Sequence, residues 1–196
     1  MNIVAIVEGA GDLTAVPQLL TQIGLMVGDA YVASKPIRGG EWRKIRRDGE
    51  LERLLALAYS RNPDHICVIV DLDDDCAAQE YTEAQERIRA WKNGREISVG
   101  LAFLVREFEV LFLEQIERVS DGRVRSLPEN VVPAETRDAK GTLRRLARVV
   151  YKESQDQVRL TKKLDLPTLY RQNRSFRKLC KEVFCLTYPE VEEIIF

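Results

Sequence analysis

Three stretches of the chain are apolar and rich in β-branched residues without interruption: Ile3–Val7, Ile66–Val70 and Val99–Val105. A strand covered on both faces reads this way, whereas a strand with one wet face alternates. Between the runs the period turns helical. Val16, Leu19, Leu20 and Ile23 share one face of the segment 13–24, and Pro17 sits in its first turn, where a missing N–H is tolerated. Helices are also expected over 49–60, 76–93 and 107–117, the last with Phe108, Leu111, Phe112 and Ile116 turned inward. A short strand is expected at 30–34. Lys35–Asp48, with Gly39-Gly40 and six basic residues, reads as a basic loop able to become helical. Residues 118–136, with Pro128 and Pro133, read as loop. From about 138 the chain is helical, Pro167 opening one helix and Pro189 lying near the end. Strands that alternate with helices imply an α/β fold, a parallel sheet flanked by helices.

At 196 residues the chain is long enough for one domain with a small appendage. We divide it into a sheet-bearing part, 1–136, and a helical C-terminal extension, 137–196, packed on it. The division coincides with a charge split hidden by the net charge of −1. From Arg137 to Lys181 there are 14 basic and 4 acidic residues, and the rest of the chain has 16 and 27. Such asymmetry fits a basic surface for polyanions beside an acidic site, and equally basic helices packed on acidic ones. Apolar runs end well short of the roughly 20 residues of a membrane helix. The N-terminus has neither the basic start nor the cleavage site of a secretory signal, so a cytoplasmic protein is expected. The four cysteines form no C-x-x-C pair and are expected to be reduced thiols. His65 is the one histidine, which disfavours chemistry built on paired histidines and suits a loop or strand start.

Ligands of open α/β sheets bind beyond the carboxyl ends of the strands. Here the first strand runs into Glu8, with Asp12 four residues later, and the second into Asp71-Leu72-Asp73-Asp74-Asp75. The third leads to Arg106-Glu107-Phe108-Glu109. Carboxylates so gathered repel one another unless a cation holds them, and Mg²⁺ or Mn²⁺ prefers such oxygen ligands. Asp74 and Asp75 have a plainer reading, as acids capping the next helix. Gly9-Ala10-Gly11 is an incomplete dinucleotide fingerprint, no phosphate-binding Gly-Lys-Ser/Thr occurs, and an EF-hand starting at Asp71 would place Cys76 where glycine is needed.

The run Ile3–Asp12, a strand followed by Glu8-Gly9, resembles the first motif of Toprim domains, and Val68-Ile69-Val70-Asp71-Leu72-Asp73 resembles their second. The Glu8/Asp12 spacing is most similar to Toprim nucleases of the OLD (overcoming lysogenization defect) type. Over nearly its full length the chain resembles small bacterial Toprim-like proteins of unknown function, often encoded beside ATPases and linked to phage defence. The residues carrying that likeness are Glu107–Leu113, Asp138-Ala139-Lys140, Tyr151-Lys152 and Ser175-Phe176-Arg177. The resemblance implies a Rossmannoid Toprim-like sheet. It implies Glu8, Asp12, Asp71 and Asp73 as ligands of Mg²⁺ or Mn²⁺, with Glu109 near the metals. It implies a lysine near the scissile phosphate, Lys140 first among Lys140, Lys152, Lys162 and Lys163. Lys152, Arg174 and Arg177 would contact nucleic acid, while Phe176 reads as core.

These readings lead to a metal-dependent nuclease cutting DNA or RNA phosphodiesters, in anti-phage defence with a partner ATPase. Its catalytic residues would be Glu8, Asp71, Asp73 and Lys140. A Toprim-like regulatory or binding subunit, inactive without its ATPase, is the alternative, and a phosphatase or phosphotransferase acting on small substrates is a third. The apolar tail Val191–Phe196 suits either a homo-oligomer contact or the core.

Overall fold

The three apolar runs become three long strands of one parallel sheet in the computed structural model, which describes every residue except 29, 30, 121, 123, 149 and 196. β1 (Asn2–Val7) leads into α1 (Asp12–Met26), then two short strands, β2 (Val32–Ala33) and β3 (Ile37–Arg38), and two helices, α2 (Trp42–Ile45) and α3 (Glu50–Tyr59). β4 (His65–Leu72), α4 (Ala77–Lys92) and β5 (Ser98–Val105) complete the sheet. The chain then turns helical: α5 (Val110–Glu114), α6 (Ile116–Val119), a 3₁₀ turn at Pro133–Glu135, α7 (Ala139–Leu146), α8 (Glu153–Thr161), α9 (Leu166–Gln172), α10 (Arg174–Phe184) and α11 (Tyr188–Ile195). The strand order is β2-β1-β4-β5, with β3 pairing β1 beyond β2.

Alternation along the strands splits the interior into two cores. Ile3, Ala5 and Val7 of β1, with Cys67 and Ile69 of β4, pack against α1 and the C-terminal helices. Val4 and Ile6, with Ile66, Val68 and Val70, pack against α2, α3 and α4. The chain leaves β1 toward one edge by a helix on the first face and returns to β4 by helices on the second. The connections reverse between β1 and β4, which makes their carboxyl ends the switch point where a crevice opens.

The C-terminal segment forms a wall of the first core. Leu143, Leu160, Leu169, Phe176, Leu179 and Val183 are buried in the same cluster as β1 and α1. These helices are capped as their sequence suggests: Asp138 accepts from the Gly141 N–H at 2.8 Å, and Asn173 from the Phe176 N–H at 2.7 Å.

Local expectations shift at four places. The strand expected at 30–34 is β2, two residues long, and residue 30 lies outside the described residues. The basic loop holds β3 and α2, because Trp42 and Ile45, one turn apart, bury their side chains in the second core. The helix expected at 107–117 breaks at Gln115, whose amide donates to Asp165 O at 2.9 Å and accepts from Asp165 N at 2.8 Å, tying that point to the start of α9. Asp74 and Asp75 do not cap α4. Its N-cap is Cys76, while Asp74 pairs with Arg106 and Arg137, and Asp75 with Arg46.

Val191 is core and Ile194 is exposed, while Phe196 lies outside the described residues. Among the described residues no helix is long and apolar enough to cross a membrane. The four cysteines are all free thiols.

Candidate acidic site at the ends of β1 and β4

The turn after β1 is shaped by what crosses it. Asp12, the first residue of α1, accepts from the Gly9 N–H at 2.7 Å and from the buried Gln157 Nε2 at 3.0 Å, so one carboxylate closes the turn and anchors α8. Gly11 is needed for that approach: a Cβ there would collide with the Gln157 amide oxygen and lie 2.7 Å from Glu153 Cγ. Glu8, half-buried, accepts from no donor among the described residues. Burial, then the charges of Asp12, Asp73 and Glu41, push its carboxyl up to about 7.

At the end of β4, Asp71 lies within the strand and accepts from the Phe108 N–H at 2.9 Å, fixing the segment after β5 against it. Burial, then Asp12, Glu8 and Glu109, hold its carboxyl well above the usual range. Asp73, just beyond, is exposed. Glu109 is fully buried at the start of α5. It accepts from the Tyr151 hydroxyl at 3.2 Å, while its other oxygen has no partner. Burial pushes it up to about 7 against the pull of Lys140.

Lys140 enters from α7, where its backbone N–H donates to Glu107 at 2.6 Å. Its ammonium lies 3.2 Å from Glu153 and 3.9 Å from Glu109. Burial alone would lower its pKa, but Glu109, Glu153 and Asp71 reverse that and hold it charged.

Glu8, Asp12, Asp71, Asp73, Glu109 and Lys140 are thus brought to one place from four parts of the sequence. Lys152 stands on the rim at the start of α8. Its backbone N–H donates to Asp156, and its side chain is exposed. Arg174 and Arg177 belong elsewhere. Arg174 lines a separate cleft at the end of β5, which none of the clustered acids lines, and Arg177 lies near Tyr170. Sequence reasoning missed Glu41, Glu153 and Gln157. Only the charge of the first two hinted at a role, since α2 and α8 reach the site through folding. Among the described residues, no three acids, histidines or cysteines stand together at a spacing that would hold a metal ion.

Residues 7–183 match a domain of unknown function, DUF4276. The chain belongs to the DUF4276 family. The matched span runs from the last residue of β1 into α10, so both strand-end acids and the basic helices lie inside the DUF4276 domain. No curated protein and no solved structure matches the chain. The DUF4276 description names no activity, so the Toprim and OLD likeness rests on the strand-end motifs.

Proposed function

We propose that this DUF4276 protein is a Mg²⁺- or Mn²⁺-dependent phosphodiesterase acting on nucleic acid, with its site at the ends of β1 and β4. The carrying observation is the gathering of Glu8, Asp12 and Asp71 at the switch point, each with a pKa raised by burial and by its neighbours. A site in which acids accumulate beyond the nearby cation Lys140 favours a further cation.

The donor chemistry fits a hard divalent ion: every candidate ligand is a carboxylate oxygen, and Glu109 keeps one buried oxygen without a partner. Glu8, Asp71 and Asp73 would hold the ion, with Asp12 fixing the turn. The spacing fits less well, because the acids are not closed around a common point. Glu8 and Asp73 accept no hydrogen bond among the described residues and are the members of the set free to adjust. A bound divalent ion would supply Lewis-acid polarisation and a hydroxide source near neutral pH. The chain's own part is positional. Glu109 and Glu153 aim the Lys140 ammonium beside the acids, where it would stabilise charge developing on a phosphoryl group. Lys152 on the rim would meet the nucleic-acid backbone, making binding salt-dependent.

Supercoiled plasmid and structured RNA incubated with Mn²⁺ or Mg²⁺ test this reading. Cleavage by the natural chain and none by Asp73→Ala is expected. Equal cleavage by both would refute the site.

The open spacing favours a second reading, a Toprim-like subunit that becomes competent only on an ATPase partner. Cleavage appearing only when the neighbouring ATPase is added would select it.

A further inference from the structure

A second cleft, of about 740 Å³, opens at the carboxyl end of β5 between the starts of α4 and α10. It falls within the roughly 300–1,000 Å³ of small-molecule sites. One wall is apolar and aromatic, with Tyr81, Phe103, Val105 and Tyr188, and Tyr188 is 40% exposed. Cationic side chains line the same cleft. Arg174, the first residue of α10, is exposed and has no hydrogen-bond or ion-pair partner among the described residues. Lys178, one turn on, is already committed: its ammonium lies 3.9 Å over the Tyr81 ring and 2.5 Å from Glu182. The backbone adds to this polarity. Ala77, Ala78, Arg174 and Ser175 all line the cleft from the first turns of two helices, and the α4 N-cap residue Cys76 offers no side-chain cap. One acid, Glu114, also lines the cleft. It accepts from Asn173 Nδ2 at 3.0 Å, and its second oxygen is an unfilled acceptor.

An unpaired arginine lining the same cleft as aromatic rings suits a ligand carrying a phosphate and a flat ring. We propose that this cleft binds a nucleoside phosphate, with the phosphate at Arg174 and the base against Tyr188. The ligand is either a free nucleotide or the end of a strand. The strand source rests on the nuclease reading, and the free nucleotide does not.

The test is binding to the full chain in EDTA, so that no hydrolysis intervenes. The four ribonucleoside monophosphates are titrated by calorimetry, and a fluorescein-labelled twelve-nucleotide single strand by polarisation. Arg174→Glu and Tyr188→Ala are compared with Arg89→Glu, an exposed arginine on the last turn of α4. Mononucleotide binding weakened about tenfold or more in both cleft variants and unchanged in Arg89→Glu supports a free-nucleotide site. The same pattern with the strand alone supports a strand end. Binding of neither probe, or equal losses in Arg174→Glu and Arg89→Glu, overturns the proposal. Metal-dependent cleavage at Asp71 and Asp73 is scored separately, so either site can fail without the other.

Discussion

β4 buries a titratable group at each end, His65 at its start and Asp71 near its finish, and the two ends settle that burden differently. His65 is fully buried with one ring nitrogen 3.5 Å from the Cys185 sulfur and the other without a partner. Burial pushes its pKa down to about 4, so it is neutral and the end is quiet. At the other end burial acts on Asp71 in company: Asp12, Glu8 and Glu109 raise it further, and Lys140 answers only part of the charge. A lone buried group discharges itself. A cluster of acids shares its burden among several groups, and the proposed cation would relieve it.

Removing the counter-cation should have the largest effect. Lys140→Met leaves Glu109 buried beside Glu153 without it and is expected to cost ~2–4 kcal/mol in urea unfolding. Adding Glu109→Gln should recover part of that loss, and simple additivity would break the account of the pair.

The pH dependence separates the two ends. A histidine with a depressed folded pKa binds protons more readily when unfolded, so its contribution is lost as pH falls from about 6.5 to about 4. A carboxyl with a raised folded pKa behaves oppositely: Glu8's contribution is lost as pH rises from about 4.5 to about 7. The two slopes oppose each other between these limits. His65→Gln should therefore unmask a steady fall in stability with rising pH, its own contribution amounting to ~2–3 kcal/mol across its window. Glu8→Gln should give a smaller change, a gain of ~1 kcal/mol at pH 8, because water reaches and screens that side chain. Thermal unfolding from pH 4 to 8 measures both, and identical profiles for the two variants would erase the contrast.

Asp73→Ala should have the smallest effect on folding, within about 0.5 kcal/mol, because the side chain is exposed. Its loss should appear in cleavage alone.

The buried strands, α1 and the two strand-end acids were legible because each is written in consecutive residues. The apolar run Ile66–Val70 predicts both a central strand and the placing of Asp71 at its end. Lys140 was legible only through the resemblance, in the run Asp138-Ala139-Lys140 after the last sheet elements. Glu153 and Gln157 were not, since they reach the turn at Gly9–Gly11 only after α8 packs across α1, and nothing near them in the sequence marks that approach. The break at Gln115 escaped for the same reason, because its partner lies 50 residues away. Arg174 was read as part of a nucleic-acid surface, yet its neighbours at the end of β5 are set by the packing of α10.

A divalent cation held by the acids at the ends of β1 and β4 would stabilise the fold through Asp71. Thermal unfolding at pH 8 with and without Mn²⁺, for the natural chain and Asp71→Asn, tests it most directly. Mn²⁺ should raise the midpoint of the natural chain and leave that of Asp71→Asn unmoved, the variant being the more stable of the two without metal. Equal shifts in both proteins, or none in either, would contradict it.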